Sequence, residues 1–191
     1  MIAALVLAAG LSRRMGRPKL LLDLAGKPVV RWSVEAVLSH VDDAIVVTGH
    51  EDAAVRTALA GLAVRFTVNP HPEAGQGSSI AAGITALAPS TDAVLVILGD
   101  QPRLPTSVIP TLLGAWKKTS KAIVAPSYRG LQGTPVLFAA SVFSELAVLG
   151  GDVGARAVVG ADSRRVERIE LDVPMPADVD TPEDLARLHV E

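Results

Sequence analysis

A chain of 191 residues is long enough to bury a sizeable core, and a net charge of −2 excludes the broad cationic surface that nucleic acid or an anionic membrane requires. The absence of cysteine removes disulfides, thiolate zinc sites and a thiol nucleophile, and the four scattered histidines show no HxxxH or HExxH spacing. Hydrophobic residues make up 49% and aromatic ones only 3%, so Val, Leu, Ile and Ala must build the core. The apolar start, MIAALVLAAG, lacks a cationic leader and is too short to span a bilayer. The chain reads as one soluble cytoplasmic domain over residues 1–191, with no membrane and no nucleic-acid partner.

Residues 3–9 form a continuous apolar run ending at Gly10, the pattern of a strand covered on both faces. Over 27–40, Val30, Val34, Val37 and Leu38 recur at helical spacing, with Pro28 suited to a first turn. A strand over 44–49, a helix over 51–61 and a strand over 63–69 follow. The next helix, 77–88, is entered through serines able to cap it. Residues 92–100 read as the central strand, and 106–118 as a helix containing a proline. Then come a strand over 121–127, an extended piece over 133–141, short helices near 141–149 and 153–160, and a strand near 165–171. The last helix has Thr181 as N-cap, Pro182 at its first position and acids in its first turn. This alternation predicts an α/β domain of three layers, a mostly parallel sheet with helices on both faces.

Ligands in such folds bind beyond the carboxyl ends of the strands, which selects the loops after Ala9, Thr48, Val68, Leu98, Ala125 and Leu171. The first loop lies in LAAGLSRRMGRPKLL, residues 7–21. Ala8, Ala9 and Gly10 leave room for a flat ligand, Ser12 adds a donor, and Arg14 and Lys19 add charge suited to phosphate. It is not a Walker A loop, since five residues separate Gly10 from Gly16 and Arg17 follows; nor does Gly10 open a GxGxxG fingerprint. In LGDQP, Asp100 ends an apolar strand and suits a magnesium ligand facing those cations. The second carboxylate is Asp178 or Asp180, both just ahead of the last helix. The loop NPHPEAGQGSSI opens a helix whose first amides, around Gly77, Ser78 and Ser79, suit an anion or a base carbonyl. RGLQGTPVLF and GGDVGARAV supply Gln132, Gly133, Asp152, Gly154 and Arg156, with Arg156 a candidate for a second phosphate.

These segments resemble a known family. LAAGLSRRMGRPKLLLDLAGKPVV is similar to the sugar-type nucleotidyltransferase signature, close to AAGxSxRMGxxKxL followed by GxP. NPHPEAGQGSSI, LGDQP, GTPVLF, GDVGAR and DVDTPEDL then fall in the order of the molybdenum cofactor nucleotidyltransferases, particularly the molybdopterin cytidylyltransferases. The resemblance covers nearly the whole chain as one nucleotidyltransferase domain. It implies a Rossmann-like fold and a nucleoside triphosphate bound with Mg2+, or Mn2+ in its place. Leu7, Ala8, Ala9, Gly10 and Ser12 would receive the nucleotide, with Gly77, Ser78 and Ser79 near its base and Gly99 beside the metal. Arg14 and Lys19 would contact the triphosphate, while Asp100 and Asp180 would hold the metal; Lys19, Arg14 and Asp100 would carry the catalysis. Gln101, Pro102, Gly133, Thr134, Pro135, Asp152, Gly154 and Arg156 would form the acceptor side.

The LAAG form looks like the cytidylyl members, which implies CMP transfer from CTP to the phosphate of molybdopterin with release of pyrophosphate. A molybdoenzyme or its chaperone would be the protein partner. One departure falls on the acceptor side: Gly133-Thr134-Pro135 stands where cytidylyl members read GHP. Two alternatives to this reading are a transferase for another base or acceptor, such as a guanylyl or sugar-phosphate enzyme, and a carrier that holds a finished cofactor.

Overall fold

The computed structural model describes residues 1–12, 15–152 and 154–189. Its strands are β1 (Ile2–Ala8), β2 (Asp23–Leu24), β3 (Lys27–Pro28), β4 (Asp43–Thr48), β5 (Arg65–Val68), β6 (Ala93–Leu98), β7 (Ile123–Tyr128), β8 (Leu131–Gln132), β9 (Val136–Ala139) and β10 (Val166–Leu171). The helices are α1 (Val29–Leu38), α2 (Asp52–Ala58), α3 (Gln76–Thr85), α4 (Val108–Trp116), α5 (Phe143–Leu146), α6 (Arg156–Ala161) and α7 (Pro182–Leu188).

Among the described residues eight strands form the main sheet, in the order β10-β7-β9-β6-β1-β4-β5, with β8 paired to β7. β1 lies parallel between β4 and β6, and β10 lies parallel to β7. Only β8 and β9 run against their neighbours. The sheet is mostly parallel, as the alternation of elements predicts, and the carboxyl ends of β1, β4, β6 and β7 share one edge. Because β9 is reversed, Val136 pairs with Val96 and its beginning lies at that same edge.

Alternate residues of β1 enter opposite halves of the core, since side chains alternate along a strand. Ala4, Val6 and Ala8 pack with Val30 and Val34 of α1, Leu112 of α4 and Leu185 of α7. Ala3 and Leu5 face Ile80 and Ile84 of α3, Leu146 of α5 and Val159 of α6. Each fully buried Val, Leu or Ile stabilises the fold by about 1.5–3 kcal/mol, and Leu5, Ile45, Leu95 and Ile97 are all fully buried. Among the described residues no helix is long and apolar enough to cross a membrane.

Three local features differ from the sequence reading. Pro28 ends β3 and precedes α1 rather than sitting in its first turn. It closes a β2–β3 hairpin whose two turn residues, Ala25 and Gly26, both have positive φ, the geometry that suits the twist of a two-residue turn. α3 is entered through Gly75 (φ 91°), a left-handed conformation that favours glycine, and the serines lie inside its first turn. Pro110 causes no break because it falls in the first turn of α4, where a missing N–H leaves no helical bond unmade.

Candidate active site

The first loop turns sharply after β1. Ser12 adopts a left-handed backbone (φ 48°), and its hydroxyl accepts the Lys19 N–H at 3.1 Å, which folds the chain back toward the strand ends. Leu20, buried in the core, fixes the short 3-10 turn that begins at Lys19. Beyond β6, Gly99 donates its N–H to the Leu7 carbonyl at 2.9 Å, and its own carbonyl accepts from Ser33 Oγ at 3.0 Å. A side chain at this position would put its Cβ 2.8 Å from the Leu7 carbonyl oxygen, so the contact requires glycine. Asp100 is therefore presented from a fixed strand end.

Asp180 arrives from the other end of the sequence. Val179, fully buried, donates its N–H to the Asp100 carbonyl at 3.0 Å. Thr181 and Asp184 form a reciprocal capping box at the start of α7, and the Asp184 carboxylate also accepts the Asp180 N–H at 3.2 Å. As a result Lys19 Nζ lies 2.5 Å from Asp100 Oδ2 and 2.7 Å from Asp180 Oδ1, with the lysine side chain only 12% exposed. Burial pulls the ammonium down, but the charges and hydrogen bonds of Asp100 and Asp180 outweigh it and hold Lys19 above its ordinary value.

These three residues stand at one end of a cavity of about 770 Å³. Ile80, Val96, Val136 and Val159 make its apolar wall, and Gln132, Gly133, Thr134, Arg156 and Met175 also line it. A second hollow of about 280 Å³ adjoins it, bounded by Ala9, Gly10, Leu11, Gly75, Gln76 and Ser79. Leu7, Gly10, Lys19, Asp100, Gln76 and Asp152 border both, so a ligand extending from one into the other passes over the lysine and the aspartate.

Of the residues expected on the nucleotide side, Leu7, Ala9, Gly10, Lys19, Ser79 and Asp100 line these hollows. Ala8 and Ser12 face a third cleft of about 330 Å³ with Arg17 and His50, which shares Ala9, Gly10 and Leu11 with the second hollow. The Gly77 amide donates to the Gly151 carbonyl at 2.9 Å, and Ser78 Oγ bonds the carbonyls of His71 and Gly75. The Gly77 amide is thus covered by Gly150 and Gly151 rather than open to an anion. On the acceptor side Gln101, Gly133, Thr134, Asp152 and Arg156 border the large cavity. Pro102 is buried, Pro135 leads into β9, and Gly154 packs against the Gln76 side chain. Arg14 lies outside the described residues. Gln76 and Met175 were not anticipated; Gln76 had a signal in its place between a strand end and a helix start, whereas nothing local marks Met175.

Asp100 and Asp180 share one ammonium, so their oxygens lie within reach of a common cation. Among the described residues no group of three or more His, Asp or Glu gathers to hold a metal. A divalent ion at this pair would draw its remaining ligands from phosphate and water, the usual coordination of Mg2+ with nucleotides. Asp178 instead accepts a hydrogen bond from Gln101 Nε2 at 2.8 Å. Its carboxyl is pushed up by the surrounding protein and then by Asp100, while Gln101 acts in the opposite direction.

A three-layer α/β fold with a cation after its first strand and carboxylates converging from β6 and α7 defines a nucleotidyltransferase. Residues 4–167 match the MobA-like NTP transferase domain, and the chain belongs to that family. It is 30% identical to the purine catabolism protein PucB of Bacillus subtilis, over 93% of this chain and 91% of that protein. The crystal structure of Rv0371c from Mycobacterium tuberculosis superposes with a TM-score of 0.88 at 28% identity, covering 100% of this chain and 97% of that one. A manganese complex of the same protein gives 0.84, at 28% identity and with 100% and 98% coverage. A nucleotidyl transferase from Methanothermobacter gives 0.83 at 27% identity, covering 100% and 96%.

Proposed function

We propose that this enzyme transfers CMP from CTP to the phosphate of a molybdopterin-type acceptor and releases pyrophosphate, using Mg2+ or Mn2+ held by Asp100 and Asp180. The observation that carries the reading is Lys19 seated between two carboxylates in a cavity whose wall also carries the apolar side chains of Ile80, Val96, Val136 and Val159. The LAAG segment supports CTP by its resemblance to cytidylyl members. The apolar wall suits a flat ring, and Arg156 beside it suits an acceptor phosphate. The manganese complex of Rv0371c supports a divalent ion in this fold. A molybdoenzyme or its chaperone, collecting the product, belongs to the same proposal.

In the reaction an oxygen of the acceptor phosphate attacks the α-phosphorus in line, and the bond from that phosphorus to the β-bridging oxygen breaks as pyrophosphate leaves. The second pKa of a phosphate monoester is about 6, so the nucleophile is largely ionised at neutral pH and requires no side-chain base. The remaining work is positioning and charge neutralisation. Lys19 moves its charge onto the triphosphate and steadies the departing pyrophosphate. A bound divalent ion supplies Lewis-acid neutralisation of the phosphate oxygens. Thr134 bears on the acceptor: its hydroxyl is committed to Gln101, so this position presents neither an imidazole nor a free hydroxyl.

Pyrophosphate release measured with CTP, GTP and ATP, each with purified molybdopterin, tests the proposal. Turnover with CTP alone is expected. Turnover with GTP or ATP alone would overturn the base assignment, and no turnover with any of them would overturn the acceptor.

A further inference from the structure

Gln101 is 6% exposed, and its side chain ties together two parts of the site that come from distant segments. Its Nε2 donates to Asp178 Oδ1 at 2.8 Å, and its Oε1 accepts from Thr134 Oγ1 at 2.6 Å. The amide has one orientation because a carboxylate only accepts, which turns the NH2 toward Asp178 and leaves the oxygen for the hydroxyl. The Thr134 carbonyl accepts in turn from the Tyr128 hydroxyl at 2.6 Å, and Tyr128 is 1% exposed. One end of this chain of bonds is therefore fixed in the core.

At its other end lies the segment from Pro176 to Asp180, which belongs to no helix or strand. Its restraints include the buried Pro176 and Val179 side chains, the bonds from Val179 N–H to the Asp100 carbonyl and from Asp180 N–H to Asp184, the contact of Asp180 with Lys19, and the bond from Gln101 to Asp178. Asp178 and Asp180 flank Val179 and both border the large cavity. Asp178 points its carboxylate at Gln101, and Asp180 points its own at Lys19.

We propose that Gln101 is a positioning residue for nucleotidyl transfer. It clamps the segment that carries Asp180 at a fixed spacing from Thr134 on the acceptor wall, with Asp178 as the anchor of the clamp rather than a ligand to the metal. The proposal rests on Asp100 and Asp180 as the metal-holding pair. A hydrogen bond from a buried amide to a carboxylate is charge-assisted, and outer partners that orient metal ligands change metal affinity by about 10–100-fold when lost.

Three variants test it. Gln101→Met keeps the length of the side chain without its hydrogen bonds. Gln101→Glu sets a second carboxylate against Asp178. The double variant Gln101→Glu with Asp178→Asn restores the 101–178 bond with donor and acceptor exchanged, leaves Thr134 donating to position 101 and keeps the net charge of the wild type. Amide exchange over residues 176–181, followed by mass spectrometry without ligands, reads the clamp directly. Mn2+ affinity in the presence of CTP, followed by electron paramagnetic resonance, reads its consequence, and circular dichroism checks folding.

Both single variants are expected to exchange faster over 176–181 and to bind Mn2+ about 10–100-fold more weakly. The double variant is expected to recover both properties. Recovery distinguishes an anchor from a ligand, because the exchange removes the carboxylate at position 178. Unchanged exchange in Gln101→Met, or a double variant no better than Gln101→Glu, would overturn the proposal. Failure of the wild type to bind Mn2+ with CTP, GTP or ATP would overturn the metal assignment beneath it, and the exchange measurement would still report whether the clamp exists.

Discussion

Two groups of residues in the lining of the large cavity are built differently. At the charged end, each functional side chain is fixed by contacts behind it: Ser12 to Lys19, Leu7 and Ser33 to Gly99, Val179 to Asp100, and the capping box to Asp180. Elsewhere in the lining, Met175 is 46% exposed, Leu131 beside Gln132 is 61% exposed, and Gln132 accepts from Arg168 at a longer 3.2 Å. The difference follows from the forces in use. Neutralising charge in a transition state depends on preorganised geometry, whereas apolar contact is roughly proportional to area and has no direction. Thr134, tied to Gln101 and to the buried Tyr128, is the firm point in the second group.

The largest break in this contrast should come from the charged end. Lys19→Ala and Asp100→Asn should each lower pyrophosphate release by about 100-fold or more, while circular dichroism still reports a folded protein. Gly99→Ala attacks the support rather than the charge. With its Cβ 2.8 Å from a backbone oxygen, it should destabilise the fold by about 1–3 kcal/mol in a denaturant titration, and it should lower turnover as well by displacing Asp100. At the other end, Met175→Ala should leave stability within about 0.5 kcal/mol. It should raise the KM for the acceptor by about tenfold, as expected for losing about 1.4 kcal/mol of apolar contact, with the nucleotide KM unchanged.

The smallest effect concerns Asp178. Its carboxyl is raised above the ordinary aspartate range, near pH 4, so the folded protein holds that proton more tightly than the unfolded chain. The part of the stability that this one carboxyl contributes should therefore fall as pH rises through that range and the group ionises. Asp178→Asn keeps an oxygen to accept from Gln101 and loses the charge. In metal-free thermal melts it should be slightly more stable than wild type at pH 7, by less than about 1 kcal/mol once solvent screening is allowed for, and equal to it below about pH 3.

Much of the fold was legible because apolar runs covered on both faces are strong local signals. The run over 3–9 became β1 at Ile2–Ala8, and 92–100 became β6 at Ala93–Leu98. Asp100 stood out as a charge placed just where such a run ends, Lys19 as one of the cations in the loop after the first run, while position alone left Asp178 and Asp180 equivalent ahead of the last helix. Other features depend on partners far away in the chain. Nothing within residues 133–141 says that β9 runs against β6, because direction is decided by what lies alongside. Gly77 looked like an open helix start, and its amide is occupied by a carbonyl more than seventy residues further on. The β2–β3 hairpin escaped notice because its strands have two residues each and its Ala-Gly turn lacks the usual asparagine or aspartate.

The reversed strand β9 has a consequence for how an enzyme of this design acquires a new substrate. The chain leaves β7 at Tyr128, turns through Arg129 and Gly130, both with positive φ, pairs briefly back on β7 as β8, and enters β9 at Val136 beside β6. Everything between is a short excursion over the ligand edge, anchored on both sides by strands whose pairing does not depend on its length. Loops held in this way tolerate insertion and replacement far better than the elements they join. Lengthening or grafting residues 129–135 would reshape the mouth of the acceptor end while β1 and β6 keep their register. A replacement that keeps Thr134 would also keep its tie through Gln101 to Asp178.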